Sequence, residues 1–404
     1  MSHDDLIYQK KSLPESLKRL GFILLGIGLA LGLAGFLFDA QRAFFNYLLA
    51  FVFIMSIAVG SLFLIALEYI TGAEWSTPIR RIPEFLASFL PLLFILVIPL
   101  FLNIHSIFEW SQKDVVAGDK ILTGKSPYLN TTFFIIRTIF TIGIWSLFYF
   151  LFVRNSRKQD ITKDQLLTKK NIKLSAIFIP LFAITITISA IDWMMSLSPH
   201  WFSTIFGVYF FAGSVVAALA AVTLATVLLK EKGYLHPRMT NEHLFSLGAL
   251  QFTFINFWAY IAFSQFMLIW YANLPEETFW FIGRWGGMWS FISIGLIFAH
   301  FVVPYAVLLS QPAKMDPKRL KFISIWILGA RVLDLYWLIM PQSPHFPQSG
   351  ELKFPSLWEG LGMGFGFLIA AVGGFLLVFY FNAKKHNLVP VGDPKLEKGL
   401  NFRL

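Results

Sequence analysis

Residues 45–69 read FNYLLAFVFIMSIAVGSLFLIALEY, and this stretch decides the fold. In helical geometry it extends about 38 Å, more than the ~30 Å of hydrocarbon in a bilayer. Its only acidic or basic side chain is Glu68, near the end. Apolar residues occupy every face, which leaves no polar stripe for water. The run also lacks the alternation of a lipid-facing strand. A helix satisfies its own backbone hydrogen bonds, and one that is apolar all round belongs in lipid.

Comparable runs recur along the chain at 17–38, 85–108, 129–153, 174–197, 201–229, 244–271, 279–309, 322–340 and 357–381. With 45–69 they predict an all-α polytopic membrane protein of about ten transmembrane helices. The first run reads as a retained helix. Asp39 follows it directly, and Phe38-Asp39-Ala40 lacks the small residues of a signal cleavage site. Composition agrees. Of 404 residues 56% are hydrophobic and 14% charged, with 45 Phe and a mean hydropathy of +0.66. A soluble domain carries about 25% charged residues. There is no cysteine, which excludes disulfides, Cys-ligated iron–sulfur clusters and thioether-linked haem from this chain.

The formal charge of +10 looks suited to nucleic acid until the basic residues are placed. About 25 of the 33 fall in segments on the side of both termini, against about five on the other side. They are topology signals, which predict cytoplasmic termini and no nucleic-acid partner. Arg137, Arg284 and Arg331 remain, and the pattern puts all three inside spans. The long polar connections are predicted at 111–128 outside and 155–173 inside.

Spans two to five resemble spans six to nine. Gly60-Ser61 matches Gly213-Ser214, and Glu84 with Ser88 matches Glu242 with Ser246. Thr132-Phe133 before Arg137 matches Thr278-Phe279 before Arg284. Asp192 before Ser198-Pro199-His200 matches Asp334 before Ser343-Pro344-His345. Four matches in one order point to a duplication. A unit of four helices keeps both copies in the same orientation. The expected organisation is a tail with a peripheral helix (1–44), two four-helix bundles (45–197 and 198–341), and a tenth helix with a tail (342–404).

Charges inside a bilayer are costly and should face protein or water. Thr185, Ser189, Asp192 and Ser196 form one stripe at steps of four, three and four, and Ser324, Arg331 and Asp334 share a face. Arg137 with Thr141, Ser293 with His300, and Ser61 with Glu68 do likewise. The topology places Asp192, Asp334, Arg137, Arg284, His105 and Glu109 in the outer half, and Glu68 and His300 nearer the inner side. Staggered carboxylates and imidazole suit a proton path through Asp192, Asp334, Arg137, Arg284, Arg331, Glu68 and His300. The same residues also suit structural pairs, with Asp192–Arg137 repeated as Asp334–Arg284, or Arg331 clamped to Asp334 at i,i+3. Ser198 and Pro199 are expected as the N-cap and first residue of span six, with His200 and His345 exposed at the interface. Only His105 and His300 approach the bilayer interior, from opposite sides, so paired-histidine haem is excluded, and no carboxylate–His cluster marks a metal site.

The run IDWMMSLSPHWFST (191–204), continuing to Tyr209-Phe210-Phe211-Ala212-Gly213, resembles the NrfD-like (polysulfide reductase membrane subunit-like) family. In particular it is similar to family members in alternative complex III, a quinol:cytochrome c oxidoreductase of bacterial respiratory chains. Tyr128-Leu129-Asn130 with Phe133, Phe134 and Arg137 is similar to the family's fourth span. The resemblance implies electron transport in a multi-subunit complex. The partners would be a homologous NrfD-like subunit, an iron–sulfur protein, multihaem and monohaem cytochromes c, and lipids. Haem c and iron–sulfur clusters are then expected in those partners, and none is bound covalently here. The chain would be a non-catalytic or quinol-interacting subunit. Two alternatives stand beside it: a quinol site with its head group near His105, Asp192 and Arg137, and a stand-alone secondary transporter.

Overall fold

The computed structural model describes residues 12–343 and 362–403. Among them ten helices are long and apolar enough to cross a bilayer, and no strand occurs. They are α1 (Glu15–Phe38), α2 (Ala40–Thr71), α3 (Arg81–Leu102), α4 (Thr131–Thr162), α5 (Leu166–Leu197), α6 (Phe206–Glu231), α7 (Asn241–Ala272), α8 (Met288–Leu308), α9 (Pro317–Gln342) and α10 (Phe365–Lys385). The protein is an all-α polytopic membrane protein. Ten crossings return the chain to the side on which it began, termed the inner side. His345 and Lys353 lie outside the described residues.

α2 and α6 form the spine. Both are buried on nearly all faces, and they meet where Gly60 leaves no room: a Cβ there would lie 2.4 Å from Ser214 O. α3, α4 and α5 pack on the α2 side, and α7, α8 and α9 on the α6 side. α1 and α10 pack on each other and against α2 and α3. Gly21, Gly28 and Gly32 of α1 face Gly366, Ala370 and Gly373 of α10, so the two backbones approach closely. In lipid, where apolar burial alone drives little association, such contact is what holds helices together.

Three expected spans differ in detail. α3 is a series of short helical turns, because Pro91 and Pro99 each remove a backbone donor. The inner connection 155–173 is almost wholly helical. α4 and α5 extend beyond the bilayer and turn only at 163–165, with Lys163 left-handed at φ 53°. Span eight does not start at 279. A short helix, Pro275–Ile282, ends at Gly283, and the chain re-enters a helix only after Gly287, at φ 52°.

The segment 386–403 then crosses the inner face. Gly392 N donates to Asp160 Oδ1 at 3.3 Å, and His243 Nε2 lies 2.7 Å from Gly399 O. One strap thereby touches both α4 and α7.

Candidate functional site

The polar stripe of α5 is buried, and its Thr185, Asp192 and Ser196 are hydrogen-bonded. Arg137 Nε and Nη2 donate to the two oxygens of Asp192 at 2.9 and 2.8 Å, and Nη1 donates to Tyr128 O at 2.8 Å. The Tyr128 and Phe133 rings cover the guanidinium at 3.8 and 4.4 Å. Below them Trp145 Nε1 donates to Thr185 Oγ1 at 2.9 Å. A bidentate pair with every guanidinium nitrogen engaged has the geometry of a fastening between α4 and α5. His105 is not brought to it. That ring is exposed, and its Nδ1 meets Ser111 Oγ at 3.1 Å. Arg137 is thus committed to Asp192 and Tyr128, and among the described residues no hydrogen bond joins His105 to that pair.

The second bundle is built differently. Asp334 accepts from Arg331 Nη1 on its own helix and from the Tyr209 hydroxyl of α6. The expected copy of the first pair, Asp334 with Arg284, does not form. Arg284 lies in the turn before α8, where its nitrogens donate to Trp337 O, Trp280 O and Leu338 O over the Trp280 ring. The physical reason is the glycine break at 283–287, which takes Arg284 out of the helix that would have aimed it at Asp334.

On α6 to α9 several buried polar atoms have no protein partner. Arg331 is fully buried, yet its Nε and Nη2 are unbonded. His300, also fully buried, has both ring nitrogens free and stacks on Trp258 at 3.8 Å, and the Trp258 Nε1 is free as well. Gln251 and Gln265 on α7, Ser324 on α9 and Thr223 on α6 also hold buried polar atoms without a partner. His300 sits in a π-helical turn, Phe298–Val302, a local widening common at functional positions. Each buried polar group without a partner costs about 1–3 kcal/mol. Groups of this kind are satisfied when ordered water reaches them.

At the inner side Glu68 is held by Arg80, through Nε at 2.7 Å and Nη2 at 2.6 Å, and Arg80 also pairs with Asp393 of the strap. Beside them Arg81 pairs with Glu84 and Asp160. Glu68 and His300 therefore occupy separate clusters. At the outer side His200 pairs with Asp119, and Lys125 Nζ donates to Pro199 O at 2.6 Å. Ser198 does not cap α6, which begins later, at Phe206. The carboxyl of Asp119 is held below its ordinary range by the His200 hydrogen bond and the backbone N–H of Leu122.

Sequence reasoning missed several of these residues. Arg80 and Arg81 read as topology markers and are almost completely buried. Gln251, Trp258 and Gln265 recur at intervals of seven on one face of α7, a signal visible in the sequence but masked by the surrounding aromatics. Among the described residues no group of three or more His, Cys, Asp or Glu could hold a metal. No family model matches the chain, and no curated protein matches it.

Proposed function

We propose that the chain is a membrane subunit, without a redox centre of its own, of a bacterial respiratory quinol:cytochrome c oxidoreductase, in the position of the ActF subunit of alternative complex III. Its second bundle would conduct protons. The observation that carries this reading is the set of partnerless buried polar groups on Arg331, His300, Trp258 and Gln251. The contrast with the closed Arg137–Asp192 pair supports it, since every nitrogen of that guanidinium is engaged whereas Arg331 keeps two unbonded. The resemblance of 191–213 to the NrfD-like family supports the choice of complex. In the proposed route Asp334 exchanges a proton at the outer end, Tyr209 and Arg331 hold its carboxylate in place, and His300 relays toward Gln251 and Ser324. Arg137–Asp192 and Glu68–Arg80 act as fastenings at either end of the first bundle.

The test is purification from native membranes followed by substitution. Multihaem cytochrome and iron–sulfur subunits are expected to co-purify, and solitary purification would favour a transporter. In the assembled complex Asp334→Asn and His300→Leu should lower proton release per quinol oxidised. If turnover and proton release are both unchanged, the route is wrong.

A further inference from the structure

A cleft of about 280 Å³ opens between the bundles near the inner ends of α2 and α7. Its walls are Leu64 and Leu67 from α2 with Leu247 and Leu250 from α7, so its sides continue the apolar environment of the bilayer. Its end is polar. Glu68 lines it, and all contacts of that carboxylate to Arg80 and Thr77 run through Oε1, leaving Oε2 uncommitted. Ser76, nine-tenths buried, lines it too, and its hydroxyl has no partner. Thr71 donates to Leu67 O at 2.7 Å, which leaves its oxygen lone pairs for a ligand. Three acceptors thus line one chamber.

We infer that this cleft binds one phospholipid of the inner leaflet with a primary ammonium head, such as phosphatidylethanolamine. An ammonium offers three N–H donors and no acceptor, matching Glu68 Oε2, Ser76 Oγ and Thr71 Oγ1. Charge argues the same way. Arg80 is already shared between Glu68 and Asp393, so the chamber presents a carboxylate oxygen and no spare cation to an anionic head. A cation stands one residue beyond Thr71, where Lys395 Nζ donates to Gly72 O at 2.8 Å, placed for the lipid phosphate. The apolar walls require an acyl chain, which separates a lipid from a soluble amine. The strap stands behind this lining, where Asp393 holds Arg80 and Lys395 holds Gly72. This inference stands apart from the proton route.

The experiment uses the full chain in nanodiscs of phosphatidylethanolamine, phosphatidylcholine or phosphatidylglycerol, with bound lipid read by native mass spectrometry. One phosphatidylethanolamine should be retained about tenfold better than the other two. Glu68→Gln and Ser76→Ala should each reduce that preference about tenfold, and Leu67→Trp should fill the cleft and abolish retention. Ser76→Ala and Leu67→Trp leave the Glu68–Arg80 pair intact, so they decide the matter even if Glu68→Gln fails to fold. Equal retention of the three lipids overturns the inference. Displacement by soluble ethanolamine at matched concentration, or by a short-chain hydroquinone, overturns the choice of a lipid.

Discussion

The guanidinium of Arg331 occupies the space in which a side chain at Gly213 would begin: a Cβ built on Gly213 falls 2.1 Å from Nη1. Gly213 therefore does for the second bundle what Gly60, its counterpart, does for the α2–α6 seam, but it admits a charge instead of a backbone. Gly213→Ala should push Arg331 away from Asp334 and destabilise the protein by roughly 1–3 kcal/mol, the usual cost of overpacking. Gly143→Ala is the control, since a Cβ there meets nothing within 4 Å. Thermal unfolding in detergent should separate the two variants clearly. Equal melting temperatures would mean that Arg331 has room to move.

Asp192 and Asp334 each pair with a buried arginine and should respond differently to the same change. Removing the charge from the closed Arg137–Asp192 pair strands a buried guanidinium, which costs about 3–5 kcal/mol. Asp192→Asn should therefore lower the melting temperature of the isolated chain. Asp334→Asn strands the fully buried Arg331 in the same way, so it too should lower the melting temperature, and it alone should also slow proton release in the assembled complex. The proposal fails if Asp192→Asn slows proton release and Asp334→Asn does not.

The outer cap carries a pH dependence whose direction is set by Asp119. Its hydrogen bond from His200 lowers the carboxyl below its ordinary value of 3.8, so the contact contributes fully above that value and is lost as pH falls through the lowered one. Protease cleavage within 111–128 should not increase between pH 5 and pH 4, and should increase only in stronger acid. Asp119→Asn should cleave faster at neutral pH and lose this acid-induced step. An unchanged cleavage rate in the variant would show that the Asp119–His200 contact does not hold the cap.

The fold was legible because lipid imposes one simple rule, and runs such as 45–69 obey it without competing signals. The α5 stripe was legible for the same reason: Thr185, Ser189, Asp192 and Ser196 are all buried as their spacing requires. What escaped the sequence depended on breaks and on distant partners. Arg284 was assigned to a helix because the Gly283–Gly287 turn lies within a run that is still apolar. Arg80 looked like a surface charge because its second carboxylate, Asp393, arrives from a strap more than three hundred residues later. Tyr209 sits in an aromatic run that gives no hint of a partner, and its bond to Asp334 arises from the packing of α6 on α9.

The α1–α10 pair offers a test confined to backbone approach. A Cβ at Gly28 would lie 2.3 Å from Ala370 N and 2.6 Å from Gly366 O, contacts that no rotamer change relieves because the obstacle is main chain. Gly26, two residues earlier, meets nothing within 4 Å. Gly28→Ile should separate α1 from α10, whereas Gly26→Ile should leave them paired. The chain has no cysteine, so Phe22→Cys with Phe381→Cys introduces the only thiols, at positions whose rings are 6.5 Å apart. A short bis-maleimide should join them efficiently in that background and with Gly26→Ile. With Gly28→Ile the yield should fall several-fold. Undiminished cross-linking would mean that aromatic contacts such as Phe36–Phe367 hold α10 in place without the glycine approach.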